Sequence, residues 1–438
     1  MTDSSSLRIV QITPGAGKMF CGACLRDNAL VTALRRLGHE AVMAPLYLPL
    51  TLDEENQSAG TPIFFTGINV YLQQQSPLFR RAPDWLHQAL ASPTLLKWAS
   101  GAAAKTSPMD LGAMTVSMLR GEEGNQAREL EELIAWLRTE KSDIVSLSNV
   151  LLVGMARRIK AALGVPVLCS LQGEDWFLDA LPSPDRELAW QTTSQRAADV
   201  DLFIAPSRYF ADLMQRRLNL APARMRVLHN GLNLDGYAPV STEASIEPPV
   251  LGYFARMCRE KGLDTLVNAF ILLKKRGRVP NLKLRIGGSC GPTDQIVVDE
   301  LTARLQQNNL LPDVEFHKNL SRADKQAFLR SLTVFSVPAL YGEAFGLYVI
   351  EALASGVPVV QPDHAAFPEL IAATGGGLLC APAGESALPD AIENLLLDPS
   401  RARSLGQAGQ KAVHEKFTIE SMARQMAEFC REARVSSS

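Results

Sequence analysis

The chain predicts two α/β domains of the doubly wound type, and three observations carry that prediction. It has 438 residues, more than one ordinary hydrophobic core supports. Residues 7–44 run strand, glycine-rich loop, helix, strand. The same alternation opens again at Val250 and recurs from Leu332 to Val360.

In the first half, Leu7 to Ile12 is a short apolar strand. Thr13 to Gly22 is a loop carrying Gly15, Gly17 and Gly22, with Gly22 suited to close backbone approach. Ala23 to Leu37 has helical spacing and is closed by Gly38, and His39 to Ala44 is the second strand. The loop is not a Walker A loop, because Ile12 and Met19 stand where that motif needs Gly and Ser or Thr. Nor is it a dinucleotide fingerprint, because Phe20 replaces the third Gly.

Residues 50–130 predict a helical insertion. Pro62 to Tyr71 is strand-like, while Pro83 to Leu90 and Pro93 to Ala99 suggest short helices. Arg80-Arg81, Trp85 and Trp98 leave an acceptor lid or a membrane-touching patch as the alternative to plain helical decoration. Glu122 to Leu137 is an amphipathic helix. Ile144 to Leu147 is a strand, Leu151 to Leu163 a helix, and Pro166 to Leu171 a strand running into Gln172-Gly173-Glu174-Asp175. A polar cluster at a strand's carboxyl end is where open α/β sheets bind ligands. Capping of the next helix is an equal reading for Glu174 and Asp175. Leu202 to Ser207 is a strand whose last residue caps a helix, and Asn230-Gly231 is a turn.

Tyr237 to Pro249, rich in Pro, Ser and Thr, reads as the linker. Beyond it come the strand Val250 to Phe254, a loop with Arg256 and Lys261, and the helix Leu263 to Lys275. Leu282 to Gly288 is a strand ending in two glycines, and Gly287 leaves room for a ligand against the backbone. Val314 to His317 is a strand and Ser321 to Arg330 a helix. The strand Leu332 to Val337 then leads through Tyr341 to Gly346 into a helix over Leu347 to Ala354, closed by Gly356. Free amides and the positive dipole end favour a phosphate at that helix start. Glu343 lies in the loop and Glu351 about one turn into the helix. Carboxylates beside a bound phosphate grip hydroxyls, which a nucleotide-linked sugar offers at both ends. Helices over Glu385 to Leu397, Ala402 to Lys416 and Ile419 to Arg434 finish the chain.

The net charge of −2 implies no polyanion-binding surface, so nucleic acid is not an expected partner. No apolar run reaches the ~20 residues of a membrane span. Met1 to Leu7 lacks a signal-peptide core, and the seven cysteines read as reduced thiols, which predicts a cytoplasmic protein. Cys21 and Cys24 are spaced like a redox or metal pair, but no second pair accompanies them.

Gly342-Glu343-Ala344-Phe345-Gly346, then Glu351-Ala352-Leu353-Ala354-Ser355-Gly356-Val357-Pro358-Val359-Val360, resembles the Glu-x7-Glu signature of family 4 retaining glycosyltransferases. The Arg256 and Lys261-Gly262 spacing matches that family's basic pair. The resemblance implies the GT-B fold: α/β, two Rossmann-like domains facing a cleft, the C-terminal helix crossing back. It implies an acceptor-side domain over 1–238, a donor-binding domain over 250–416 and the crossing helix over 417–438. It implies transfer of a sugar from a nucleotide-diphosphate sugar to a glycan, lipid or small-molecule hydroxyl, with no cofactor and no metal. Arg256 and Lys261 would stabilise the leaving diphosphate, and Glu343 would orient the sugar. Glu351 would hold the ribose, and the amides around Phe345, Gly346 and Leu347 would receive the distal phosphate and sugar. Gly15, Gly17 and Gly22 match the family's first loop. Gln172 stands where many members carry His, and Asn233 where they carry Asp. Gln hydrogen-bonds hydroxyls but cannot act as a base. The alternatives are a non-catalytic nucleotide-sugar-binding protein, a GT-B epimerase and a GT-B phosphorylase.

Overall fold

Apolar segments that are buried on both faces set the architecture. The computed structural model describes residues 6–15, 22–52, 54–65, 108–237 and 247–437. The expectations at Gly17, Cys21, Arg80-Arg81, Trp85, Trp98, the two short helices over 83–99 and most of the linker lie outside the described residues. The chain divides into one unit of Met1–Gly231 with Ile419–Ser438 and a second of Leu232–Thr418.

In the first unit the strands are β1 (Arg8–Thr13), β2 (Glu40–Pro45), β3 (Ile144–Leu147), β4 (Val167–Ser170), β5 (Leu202–Ala205) and β6 (Met225–Val227). They form a parallel sheet ordered β2-β1-β3-β4-β5-β6. Every residue of β3, β4 and β5 is buried, as a parallel sheet covered on both faces requires. The helices Gly22–Arg36 and Ile419–Ser437 pack on one face. Ile419, Met422, Ala423, Met426, Ala427, Cys430 and Ala433 repeat at helical spacing and join Leu30, Leu34, Ile9 and Met43 in one core. The last helix thus crosses back to the first unit, fixed at its rim by the Arg36–Glu420 and Arg226–Glu432 ion pairs.

The second unit holds β7 (Val250–Phe254), β8 (Lys283–Gly288), β9 (Val314–Lys318), β10 (Val334–Phe335), β11 (Val359–Pro362) and β12 (Gly377–Cys380). They too are parallel, ordered β12-β11-β10-β7-β8-β9. The strand order reverses between β7 and β10, the switch point at whose carboxyl ends such sheets bind ligands. Two doubly wound α/β units were expected, and two are found.

Several elements differ from expectation. The helix read over Glu122 to Leu137 is a short turn at Gly121–Glu123 followed by Ala127–Glu140. The helix read from Leu151 begins as tighter 3-10 turns over Val150–Met155 and becomes regular only over Ala156–Leu163. The helix read from Ala402 starts at Pro399, because Asp398 caps it by accepting from the Arg401 N–H at 2.9 Å. Residues 62–65 form no strand. The helices Pro108–Leu119, Asp185–Arg196 and Pro292–Gln307 and the strands β6 and β12 were not foreseen.

Candidate functional site

The residues around the β7–β10 switch point are brought together by two loops in close contact. The loop after β7 carries Arg256 and Lys261, and the loop after β10 carries Glu343. Leu340 donates its N–H to the Glu260 carbonyl at 2.9 Å. Gly262 sits at φ +72, and a Cβ there would lie 1.8 Å from the Pro338 carbonyl oxygen. Only glycine lets the two loops approach this closely.

Their meeting builds a buried polar cluster. Glu343 is 8% exposed. Its Oε2 accepts from Lys261 Nζ at 2.6 Å, from Tyr348 Oη at 2.8 Å and from Tyr341 Oη at 3.1 Å. Lys261 also donates to Tyr341 Oη. Its ammonium lies 4.9 Å from the Tyr341 ring centroid and 5.2 Å from that of Tyr348, within cation–π range. Burial pushes the Glu343 carboxyl up, but the Lys261 charge and the three hydrogen bonds outweigh it and hold the carboxyl below its ordinary 4.5. Glu343 is therefore a fixed carboxylate. Burial, and then the Glu343 charge, pushes both tyrosine hydroxyls up, so both stay protonated donors.

The helix Leu347–Ala354 starts from Gly346, which stands at φ +92. A helix N-terminus leaves its first amides without partners inside the helix. Phe345 is buried and stacks in a tilted contact on Phe417, 6.4 Å between ring centroids. Glu351 pairs with Lys325 at 2.8 Å.

Arg256 is held apart from this cluster. Its guanidinium forks onto Asp294, at 3.0 and 3.1 Å from Nε and 2.9 Å from Nη2. Asp294 also accepts from the Gly291 N–H at 3.0 Å in the first turn of Pro292–Gln307. Half of the Arg256 side chain remains exposed. Gly287 makes room for rings rather than for open space, because a Cβ there would lie 2.6 Å from Phe254 and 3.0 Å from Phe328.

In the first unit, Gly15 stands at φ +77 two residues after β1, and Gly22 opens the first helix with nothing among the described residues within 4 Å of a Cβ there. Gln172 donates from Nε2 to the Ser148 carbonyl at 3.0 Å. Glu174 does not cap the following helix. Its carboxylate accepts from the Val150 N–H at 3.0 Å and the Gln172 N–H at 2.7 Å, tying the ends of β3 and β4 together. Burial pushes it up to about 7. Nearby, Arg26 and Asp27 form a fully buried pair at 2.8 Å, and Arg26 also donates to Ser170 Oγ at 3.1 Å.

Sequence reasoning missed Tyr341, Tyr348, Lys325 and Asp294 as partners. Tyr348 alone left a signal: a hydroxyl on an otherwise apolar helix needs an acceptor when buried. Among the described residues there is no cluster of three or more His, Cys, Asp or Glu placed to hold a metal.

Comparison with known proteins agrees with this frame. The family described as Glycosyl transferases group 1 matches residues 240–412, and Glycosyltransferase Family 4 matches residues 112–235. The chain is 26% identical over 307 residues to alpha-maltose-1-phosphate synthase of Mycolicibacterium smegmatis, covering 65% of this chain and 78% of that protein. It is 28% identical over 295 residues to the GDP-mannose-dependent alpha-mannosyltransferase of the same organism, covering 64% and 71%. Sucrose-phosphate synthase from Thermosynechococcus elongatus superposes with a TM-score of 0.72 at 20% identity, over 98% of this chain and 100% of that one. Anabaena HepE in complex with UDP gives 0.68 at 16% identity, over 97% and 100%. At these identities the structural likeness carries the fold.

Proposed function

The chain belongs to the group 1 glycosyl transferases of family 4, and from that premise we propose that it transfers a hexose from a nucleoside-diphosphate sugar to an acceptor hydroxyl, with retained anomeric configuration and without a metal. The observation that carries this reading is the Lys261–Glu343 pair, held with Tyr341 and Tyr348 at the β7–β10 switch point. GDP-mannose is named for one relative, and UDP-glucose is bound by a structural neighbour, which supports a donor of that class here.

In the proposed reaction the bond from the sugar's anomeric carbon to the distal phosphate oxygen breaks. The acceptor oxygen bonds to that carbon on the same face, and its proton passes to the departing phosphate oxygen. Charge grows on the diphosphate as the bond breaks, so fixed cations lower the barrier. Lys261 has three N–H donors, of which Glu343 and Tyr341 engage two, leaving one for phosphate. The exposed half of Arg256 supplies the second cation. Glu343, fixed as a carboxylate, accepts from hydroxyls of the sugar. Glu351 accepts from the ribose.

The test is incubation with UDP-, GDP-, ADP- and dTDP-hexoses and a panel of sugar, lipid and small-molecule acceptors in EDTA. The expected result is nucleoside diphosphate release and, by NMR, a product with the donor's anomeric configuration, at a rate EDTA does not change. An inverted product, or a strict need for a divalent ion, overturns the reading.

A further inference from the structure

Resting on that reading of Glu351, we propose that Lys325 is the positioning residue that presents Glu351 to the ribose hydroxyls of the donor. Lys325 comes from the helix Arg322–Arg330 and Glu351 from Leu347–Ala354. The Lys325 ammonium meets Glu351 Oε1 at 2.8 Å, with the side chains 11% and 14% exposed. An exposed Lys–Glu pair of this kind holds little. This one is mostly buried, so removing the lysine strands a carboxylate without compensation and frees its rotation. A lysine is a compact point charge, so it engages one carboxylate oxygen where an arginine fork takes both. Oε2 is left for a hydroxyl.

The lysine's own position is fixed by an adjacent stripe of its helix. Arg322, Gln326 and Arg330 lie one turn apart along one stripe. Arg322 donates to the Asn233 carbonyl at 2.9 Å, Gln326 to that of Asp235 at 2.8 Å and Arg330 to that of Gly236 at 2.9 Å. Gly236 lets the segment lie this close, since a Cβ there would be 2.2 Å from Gln326 Oε1. Ser321 caps the helix, and Phe328 and Leu329 anchor it in the core. A helix staked at three points presents Lys325 at a set height to Glu351. Donor recognition at the ribose therefore depends on a residue that touches no donor atom.

The experiment compares UDP, GDP and ADP with their 2′,3′-dideoxy counterparts by calorimetry, on the wild type and on Lys325→Met, Lys325→Arg and Glu351→Ala. The wild type should favour the ribo form of its preferred nucleotide by at least about tenfold, the scale of a hydrogen bond to a charged group. Lys325→Met should bring that preference to within about threefold, and Lys325→Arg, whose fork takes both carboxylate oxygens, should lose most of it too. Affinity for the dideoxy form should barely change, which general damage to the pocket would not allow. If Glu351→Ala removes the preference and folded Lys325→Met keeps it, the positioning role is overturned. If Glu351→Ala keeps the preference, or no nucleotide binds the wild type, the ribose reading itself fails and this inference with it. Full retention of the preference in Lys325→Arg, with circular dichroism intact, also contradicts positioning through a single carboxylate oxygen.

Discussion

Two buried glutamates, one in each unit, are shifted in opposite directions from the ordinary carboxyl value. Glu343 follows β10 and Glu174 follows β4, and they are 8% and 7% exposed. Burial pushes both carboxyls up. Glu343 also faces Lys261 and two tyrosine hydroxyls, and ends below its ordinary value. Glu174 receives backbone N–H groups, with no cation acting on it among the described residues, and ends at about 7. At Glu174 the backbone donors do not offset desolvation, whereas at Glu343 the cation with the hydroxyls does. The loops after β7 and β10 therefore carry a permanent charge pattern, as the proposed binding of a diphosphate sugar requires. Glu174 instead ties two strand ends with a charge that changes near neutrality.

The largest expected effect is at the fixed charge. Glu343→Ala should lower transfer by about 10³-fold or more with the fold intact by circular dichroism. A near-wild-type rate would remove Glu343 from the site. Next comes the titrating charge. The folded value of Glu174 lies above its ordinary 4.5, so its contribution is fully present below about pH 4.5 and is lost as pH rises through about 7. The shift corresponds to about 3 kcal/mol. Glu174→Gln should therefore gain stability relative to the wild type by up to that amount between pH 5 and 8, measured by urea denaturation. A pH-independent difference between the two proteins would contradict it. Lys261→Ala should weaken donor binding by about 2 kcal/mol and leave Glu343 in the position of Glu174, buried without a cation. Unchanged donor affinity in calorimetry would break the comparison. The smallest effect belongs to Gly346→Ala. Its Cβ would meet nothing nearer than 3.4 Å, so the cost is the φ of +92 alone, about 1 kcal/mol of stability in thermal melts. A neutral result would show that the loop can change conformation there.

The elements read best from sequence were those whose signal is local. Glu343, Gly346 and Glu351 sit within one strand–loop–helix string, and the β7 loop shows Arg256 and Lys261 within a few residues. Their partners were hidden because the fold recruits them from elsewhere. Lys325 lies 26 residues before Glu351, and Asp294 38 residues after Arg256. Glu174 read equally well as a helix cap because nothing in sequence shows that its carboxylate turns back to Val150, 24 residues earlier. The helix Pro292–Gln307 was missed although it has Pro in its first turn and Asp294 three residues after Gly291. Its apolar residues are interrupted by charge, and of them Val298, Leu301 and Leu305 are buried in the core while Val297 packs against it part-exposed. β12 is a short, partly exposed edge strand whose pattern is too weak to stand out.

The central claim is that the loops after β7 and β10 bind a nucleoside-diphosphate sugar through Lys261 and Glu343 without a metal. The most direct test is a thermal-shift screen of the wild type and Lys261→Ala against UDP-, GDP-, ADP- and dTDP-hexoses in EDTA, since a ligand bound only to the folded state raises the melting point. The account predicts a rise with one donor class in the wild type and a clearly smaller one in Lys261→Ala. No rise with any donor, or an equal rise in the variant, would contradict it.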